Sequence, residues 1–178
     1  EKLKNNPYVL GYDIINEPWG DGLVTTVLNT NLESQLLPNF YEKYITAMRA
    51  TEQNKYIFFE PSVMFNTREL AGFQTKLPVI NDTRNGAKHL SFAPHCYLAD
   101  LAIHDPATTN SIRNTYTQYL ADLKNKYTVI QQKQQVPIYI GEWASIDYTV
   151  FPDWENFLNN HMAAFDELKA SWSYFGYF

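Results

Sequence analysis

Hydrophobic and polar residues divide this chain into short apolar runs and longer amphipathic stretches. The apolar runs are nearly continuous, which is typical of strands buried on both faces of a parallel sheet. The predicted strands are Tyr8–Ile15, Tyr56–Glu60, Leu90–Tyr97, Pro137–Glu142 and Ser171–Phe175. The amphipathic stretches place apolar residues at spacings of three and four and therefore predict helices. The predicted helices are Glu33–Gln53, Ser111–Tyr127 and Trp154–Leu168. The apolar stripe of the first consists of Leu36, Leu37, Phe40, Tyr44, Ile45 and Met48. The apolar stripe of the second consists of Ile112, Tyr116, Tyr119, Leu120, Leu123 and Tyr127.

The alternation of strands and helices predicts an α/β fold built from βα units. The segment Pro61–Lys88 has no strong helical pattern, which predicts a long loop, with a short helix within it as the alternative. No stretch has the composition of a linker, so we expect residues 1–178 to belong to a single domain.

Composition narrows the class of protein. The 178 residues carry a net charge of −5 without a basic stripe, which argues against nucleic-acid binding. No apolar run approaches the roughly 18 residues that a membrane span needs. The single Cys96 excludes an internal disulfide and a cysteine-based metal cluster. The aromatic share of 16% mildly favours a carbohydrate or lipid site, although most of these rings are expected to fill the core.

Polar and acidic side chains occur where four of the predicted strands end. They are Asn16, Glu17, Glu60, His95, Tyr97 and Glu142. Catalytic groups collect at the carboxyl ends of parallel strands in α/β barrels. One carboxylate at a strand end is often a structural ion pair, but several with a histidine and an asparagine predict a catalytic site. Two carboxylates suit glycoside hydrolysis, in which one protonates the leaving oxygen and the other acts in its ionised form.

Three motifs resemble glycoside hydrolase family 5. The run from Gly11 to Trp19 is similar to the Asn-Glu-Pro motif that ends the fourth barrel strand of that family. His95-x-Tyr97 resembles the sixth strand, and the run from Ile140 to Trp143 resembles the seventh, which carries the nucleophile. The resemblance implies a (β/α)₈ TIM barrel, of which this chain is the C-terminal part matching strands 4 to 8.

The resemblance also implies roles for the residues in these motifs. Glu17 is expected to be the catalytic acid/base and Glu142 the nucleophile of a retaining enzyme. Asn16 is expected to bind the sugar 2-hydroxyl, and Tyr97 to orient the nucleophile. His95 is expected to bind a sugar hydroxyl or support a carboxylate, with a satisfied core histidine as the competing interpretation.

Further aromatic and acidic residues are assigned around this site. Glu60 is expected to support the site from behind, by orienting a histidine or an arginine. Trp19 and Trp143 each follow a catalytic glutamate, as subsite walls or as core residues. In the last strand the family pattern is close to Trp-x-Tyr-Trp, and here Phe175 occupies the position that stacks under the sugar. Trp172 has the other strand parity and should point the opposite way.

The form of the first motif, with Tyr-Asp before it and Trp-Gly after it, resembles the endoglycoceramidase branch. That branch implies cleavage of a glycosphingolipid and peripheral membrane contact through the lipid substrate. The apolar run Val63–Phe65 in a predicted loop also supports this hypothesis. We expect a monomer that needs no cofactor and no metal. We also expect a secreted or lysosomal-type location, for which the sequon Asn81-Asp82-Thr83 is weak support and no signal peptide is visible.

Other functions remain open from the sequence. A glucosylceramidase, steryl glucosidase or β-glucanase of the same family is the nearest alternative. A non-catalytic glycan- or lipid-binding protein belongs to a different class. A metal-dependent hydrolase is disfavoured, because His89, His95, His104 and His161 have no spacing typical of metal ligands at strand ends.

A complete barrel needs about 250 residues, and an open part of one exposes sheet edges and apolar surface. We therefore expect the 178-residue polypeptide on its own to be poorly soluble and inactive. Expression of this polypeptide alone, followed by solubility and glycosidase assays, tests the expectation. Robust hydrolysis by the soluble purified chain would contradict it.

Overall fold

A computed structural model describes residues 3–19, 31–63, 65–66, 77–97, 106–144 and 153–176, with only the helical backbone for 106–115. Strands and helices alternate in the order that the sequence predicts. The strands are β1 Gly11–Asp13, β2 Tyr56–Phe59, β3 Leu90–Phe92, β4 His95–Cys96, β5 Tyr139–Trp143 and β6 Ser171–Tyr174. The helices are α1 Leu37–Arg49, preceded by a π-helical turn at Leu32–Leu36, α2 Pro106–Gln134 and α3 Trp154–Glu167.

The chain divides into two compact units. The first unit comprises Glu1–Ala93 with Gln131–Pro137, and the second comprises Pro94–Ile130 with Ile138–Phe178. Each unit contains a three-stranded sheet, in the order β1-β2-β3 in the first and β4-β5-β6 in the second. All four strand pairs are parallel, as expected for βα units.

The predicted strand Leu90–Tyr97 is two strands, because Pro94 interrupts it. The Ala93 N–H still donates to the Phe59 carbonyl, but proline has no N–H with which to continue that ladder. Instead, the Pro94 carbonyl accepts the N–H of Gly141. The boundary between the two units falls between Ala93 and Pro94.

Strand β1 approaches β2 unusually closely at Gly11. A Cβ atom at this position would lie 2.3 Å from the Tyr56 carbonyl oxygen and 2.8 Å from the Phe58 ring. No side chain fits in that space, so glycine is required for the two strands to pair. The pairing fixes the register of β1, with Gly11 opposite Tyr56, and so fixes where the chain leaves the strand.

Helix α1 buries only part of the apolar stripe that the sequence predicts. The buried positions Leu37, Tyr41, Ile45 and Arg49 recur every four residues and form one stripe. Leu36, Phe40 and Tyr44, which the predicted stripe included, are exposed. The apolar surface of the helix is thus wider than the part that its own unit covers.

Arg49 joins the end of α1 to the loops that lead into β2 and β3. Its guanidinium makes a buried two-point contact with the Asp82 carboxylate, with Nε 2.8 Å from Oδ1. It also donates to the carbonyls of Glu52, Lys55 and His89. Burial alone would raise the pKa of Asp82, but the Arg49 hydrogen bond and two backbone N–H groups outweigh it and lower the pKa.

The second unit is built around the buried side chains of α2, α3 and its sheet. Helix α2 contributes Tyr116, Leu120, Leu123 and Tyr127, as its predicted stripe requires. Trp143 has no exposed surface and stacks on His161 of α3 with ring centroids 6.0 Å apart. Among the described helices, none is long and apolar enough to cross a membrane.

His161 makes the stability of this unit depend on pH. Burial among aromatic rings lowers its pKa from 6.5 to about 4, although its hydrogen bond to the Phe157 carbonyl works against that shift. The unfolded chain therefore takes up a proton at a pH where the folded chain does not. Stability is highest above about pH 6.5 and falls as the pH drops towards 4, by at most about 3 kcal/mol.

Urea unfolding of the full-length protein between pH 4 and 8 measures this dependence, and His161→Asn removes the titrating group while keeping a donor near the Phe157 carbonyl. We expect the variant to lose less stability than the wild type over this range. Parallel pH profiles for the two proteins would contradict the assignment.

Candidate active site

The turn after β1 carries the predicted acid/base. Asn16 and Glu17 follow the strand after two residues, and the φ angle of Glu17 is +44°, in the left-handed region. This conformation costs an L-residue with a side chain about 1–2 kcal/mol, and such strain occurs most often at functional sites. Glu17 is half-buried and Asn16 is exposed, so both side chains are accessible to a ligand.

Glu60 lies directly after β2 and contacts this turn. Its side chain is buried, and its Oε2 accepts the backbone N–H of Glu17 at 2.8 Å. Glu60 thus supports the candidate acid/base through the backbone of residue 17. The predicted support of a histidine or an arginine by Glu60 stays a prediction.

Glu142 on β5 carries the second candidate carboxylate. The Tyr97 hydroxyl donates to its Oε2 at 2.7 Å, and His95 Nδ1 lies 3.5 Å from the same oxygen. The register of β4 on β5 pairs His95 with Glu142, which places the two side chains beside each other. The glutamate keeps about a quarter of its side chain exposed, whereas that of His95 is 8% exposed.

A β-bulge in β5 changes the direction of the strand at this glutamate. Ile140 pairs with Trp172 and Trp143 pairs with Tyr174, so three steps along β5 match two along β6. The extra residue shifts the side-chain alternation, and Trp143 enters the core while Glu142 stays accessible.

The end of β6 adds an aromatic residue beside Tyr97. The ring of Phe175 lies edge-on to that of Tyr97, with centroids 6.4 Å apart, and is 59% exposed. Its N–H donates to the Trp143 carbonyl at 2.8 Å. Trp172 packs against Trp143 instead, as the opposite strand parity predicts.

Trp143 requires a correction. The sequence assigned it to substrate binding, with core packing as the alternative, and its side chain has no exposed surface. It packs on Phe165, Trp172 and Tyr174 at centroid distances of 5.1 to 5.3 Å. This burial favours the packing interpretation over a subsite wall. Trp19, by contrast, is half exposed, and its role as a wall remains a prediction.

Sequence reasoning missed Tyr41. Its hydroxyl donates to the Glu60 carbonyl at 2.8 Å and accepts the Glu60 N–H at 3.0 Å. Burial raises the pKa of this hydroxyl well above its usual value, so it remains protonated at neutral pH. Tyr41 lay outside the predicted apolar stripe of this helix, and the helical pattern gives no signal for its contact with Glu60.

Parallel βα units with carboxylates at their strand ends are typical of (β/α)₈ barrel enzymes, the fold class that the sequence predicts. The chain belongs to glycosyl hydrolase family 5, the cellulase family, whose model matches residues 1–177. It is therefore a member of a glycosidase family.

Solved structures show the same fold. Endo-glycoceramidase II from Rhodococcus sp. has a TM-score of 0.78 at 22% identity, with 97% of this chain and 37% of that chain covered. Cel5A of Thermotoga maritima, in complex with mannotriose substrate, has a TM-score of 0.65 at 17% identity, with 99% and 55% covered. A GH5-4 broad specificity endoglucanase from Ruminococcus champanellensis with bound cellotriose scores 0.64 at 14% identity, with 91% and 46% covered.

This chain thus spans a little over a third of the length of the endo-glycoceramidase that it matches. No curated protein sequence matches it.

Proposed function

We propose that this chain carries both catalytic carboxylates of a retaining β-glycosidase, with Glu142 as nucleophile and Glu17 as acid/base. The observation that carries the proposal is the hydrogen bond from Tyr97 to the Glu142 carboxylate at the end of a parallel strand. A donor of this kind fixes the orientation of the carboxylate. A fixed orientation is required of a group that attacks an anomeric carbon.

The reaction proceeds by double displacement. Tyr97 and His95 both approach Oε2 of Glu142, so we assign the attack to its other oxygen. The Glu17 carboxyl donates its proton to the leaving oxygen as the glycosyl-enzyme ester forms. It then removes a proton from water, which hydrolyses the ester and restores both groups.

Neighbouring residues bind the sugar in this proposal. Asn16 is exposed directly before Glu17 and offers an amide to the 2-hydroxyl, where hydrogen bonds strengthen as the transition state forms. Phe175 offers an exposed ring beside Tyr97 for stacking under the sugar. Exposed Trp19 serves as a wall next to the acid/base.

We further propose that the substrate is a glycosphingolipid. The first motif resembles the endoglycoceramidase branch, and endo-glycoceramidase II from Rhodococcus sp. has been solved as a complex with ganglioside GM3 and as a lactosyl-enzyme intermediate. A β-glucanase is the second candidate, favoured by the cellotriose complex of the endoglucanase with a similar fold.

We also propose that further βα units complete the barrel. The described part of β1 pairs with β2 along one edge, and Tyr8 and Leu10 beside it are 95% and 68% exposed. The exposed side of α1, formed by Leu36, Phe40 and Tyr44, offers additional apolar surface for packing. The experiments below therefore use the full-length enzyme.

Removal of each carboxylate tests the two catalytic roles. Glu142→Gln should lower kcat by a factor of about 10⁴ or more, because no glycosyl-enzyme ester can form. Glu17→Gln should lower kcat on unactivated substrates by about 10²–10⁴, the usual contribution of general acid–base catalysis. Glu167→Gln, at an exposed ion pair with Lys124, is the matched control and should retain activity. Unchanged turnover by Glu142→Gln would rule out its assignment.

The products distinguish the proposed substrates. We expect the wild-type enzyme to release intact oligosaccharide and ceramide from a ganglioside. After solvent extraction, mass spectrometry of the aqueous phase detects the oligosaccharide, and that of the organic phase detects the ceramide. Hydrolysis of cellulose oligomers without any release of ceramide would favour the β-glucanase instead.

A further inference from the structure

We infer that Glu60 is a positioning residue that holds Glu17 in its catalytic conformation through a hydrogen bond to the Glu17 backbone. The inference rests on the proposed role of Glu17 as acid/base. The Glu60 carboxylate accepts the Glu17 N–H at 2.8 Å, across 43 residues of sequence. In this contact Glu60 binds the peptide group that sets the direction of the catalytic side chain.

The backbone at Glu17 needs such an external restraint. A φ of +44° is unfavourable for glutamate, and the following Pro18 further limits the conformations open to residue 17. Strained conformations persist only when surrounding contacts fix them. A carboxylate is the strongest acceptor that a protein offers to a backbone N–H, and its charge makes the hydrogen bond about twice as strong as a neutral one.

Glu60 can supply this restraint because it is itself fixed on both sides of its Cα. The Tyr41 hydroxyl accepts the Glu60 N–H and donates to the Glu60 carbonyl. Tyr41 is buried in α1, so the helix anchors the end of β2. Glu60 is only 3% exposed, which leaves little surface for contact with a substrate and favours a positioning role over a catalytic one.

Two neighbouring contacts reinforce the junction between the β1 turn and the loop after β2. The Val63 N–H donates to the Pro18 carbonyl at 3.1 Å. Ser62 donates to the buried carboxylate of Glu33 in the π-helical turn. Residues 60–63 therefore form a fixed support, and Glu60 is the member of that support that contacts Glu17 directly.

Leaving-group dependence separates loss of acid positioning from general damage. The 2,4-dinitrophenolate group of a 2,4-dinitrophenyl β-glycoside leaves without protonation. The alcohol of an alkyl β-glycoside of the same sugar must be protonated as it leaves. In Glu60→Met the Glu17 N–H loses its acceptor, and kcat/KM for the alkyl glycoside should fall at least thirtyfold more than for the dinitrophenyl glycoside. Glu60→Gln keeps an oxygen acceptor and should hold the ratio of the two values within threefold of the wild type.

Glu52→Met provides the matched control. Glu52 is also a buried glutamate of the first unit, and its Oε1 accepts the backbone N–H groups of Asn54 and Lys55. Loss of the Glu52 carboxylate should change kcat/KM for both glycosides by the same factor. An equal fall in kcat/KM for both glycosides in Glu60→Met overturns the inference. So does a Glu60→Gln variant that loses as much kcat/KM for the alkyl glycoside, relative to the dinitrophenyl glycoside, as Glu60→Met does.

Amide exchange provides a readout that does not depend on activity. In ¹⁵N-labelled enzyme, the Glu17 amide should exchange slowly in the wild type and Glu60→Gln, and at least tenfold faster in Glu60→Met. Equal exchange in all three proteins overturns the inference even if the enzyme is active. Absence of glycosidase activity in the wild type, or no leaving-group dependence in Glu17→Gln, contradicts the proposed function instead, and amide exchange still decides whether Glu60 holds Glu17.

Discussion

Parallel pairing of the strands is the constraint on which the rest of the structure depends. In a parallel pair the carboxyl ends of both strands lie at the same edge, so residues that follow different strands meet there. In the first unit this brings Glu60, after β2, to the turn that contains Glu17. In the second unit it brings Tyr97, after β4, to Glu142 on β5. The register of the parallel strand pairs thus determines which residues surround each candidate carboxylate.

The structure holds the two carboxylates in different ways, and the difference fits different roles. The Tyr97 hydroxyl donates directly to a carboxylate oxygen of Glu142, which fixes the orientation of that carboxylate. Glu17 has its backbone held, through the carboxylate of Glu60, in a conformation that it would not adopt alone. An acid/base must donate a proton and later accept one, and the contact from Glu60 acts on the backbone of Glu17 rather than on its carboxyl group.

The sequence predicted those features that depend on local pattern. Apolar runs located the strands, and residues at the strand ends included Glu17, Glu60 and Glu142. The family match confirms the fold class and the resemblance behind these assignments. The pattern could not show that Pro94 divides one strand into two, because that depends on which neighbour each half pairs with.

Features that arise from long-range packing were not predictable from the pattern. The bulge in β5 buries Trp143 and leaves Glu142 accessible, although the two residues are adjacent in an apolar strand. The role of Tyr41 depends on its contact with Glu60, which is 19 residues away in the sequence. The helical pattern alone does not distinguish Tyr41 from a tyrosine that only packs in the core. The predicted stripe of α1 likewise included Phe40 and Tyr44, which the first unit does not cover.

The central claim is that Glu142 forms a covalent ester with the sugar. Its most direct test is to incubate the full-length enzyme with a 2-deoxy-2-fluoro β-glycoside that carries an activated leaving group, and to locate the label by peptide mass spectrometry. The fluorine destabilises the transition states of both steps, so the intermediate accumulates. We predict one sugar per chain, attached to the peptide that contains Glu142. A label on any other residue, or turnover with inversion of configuration and no label, would contradict the account.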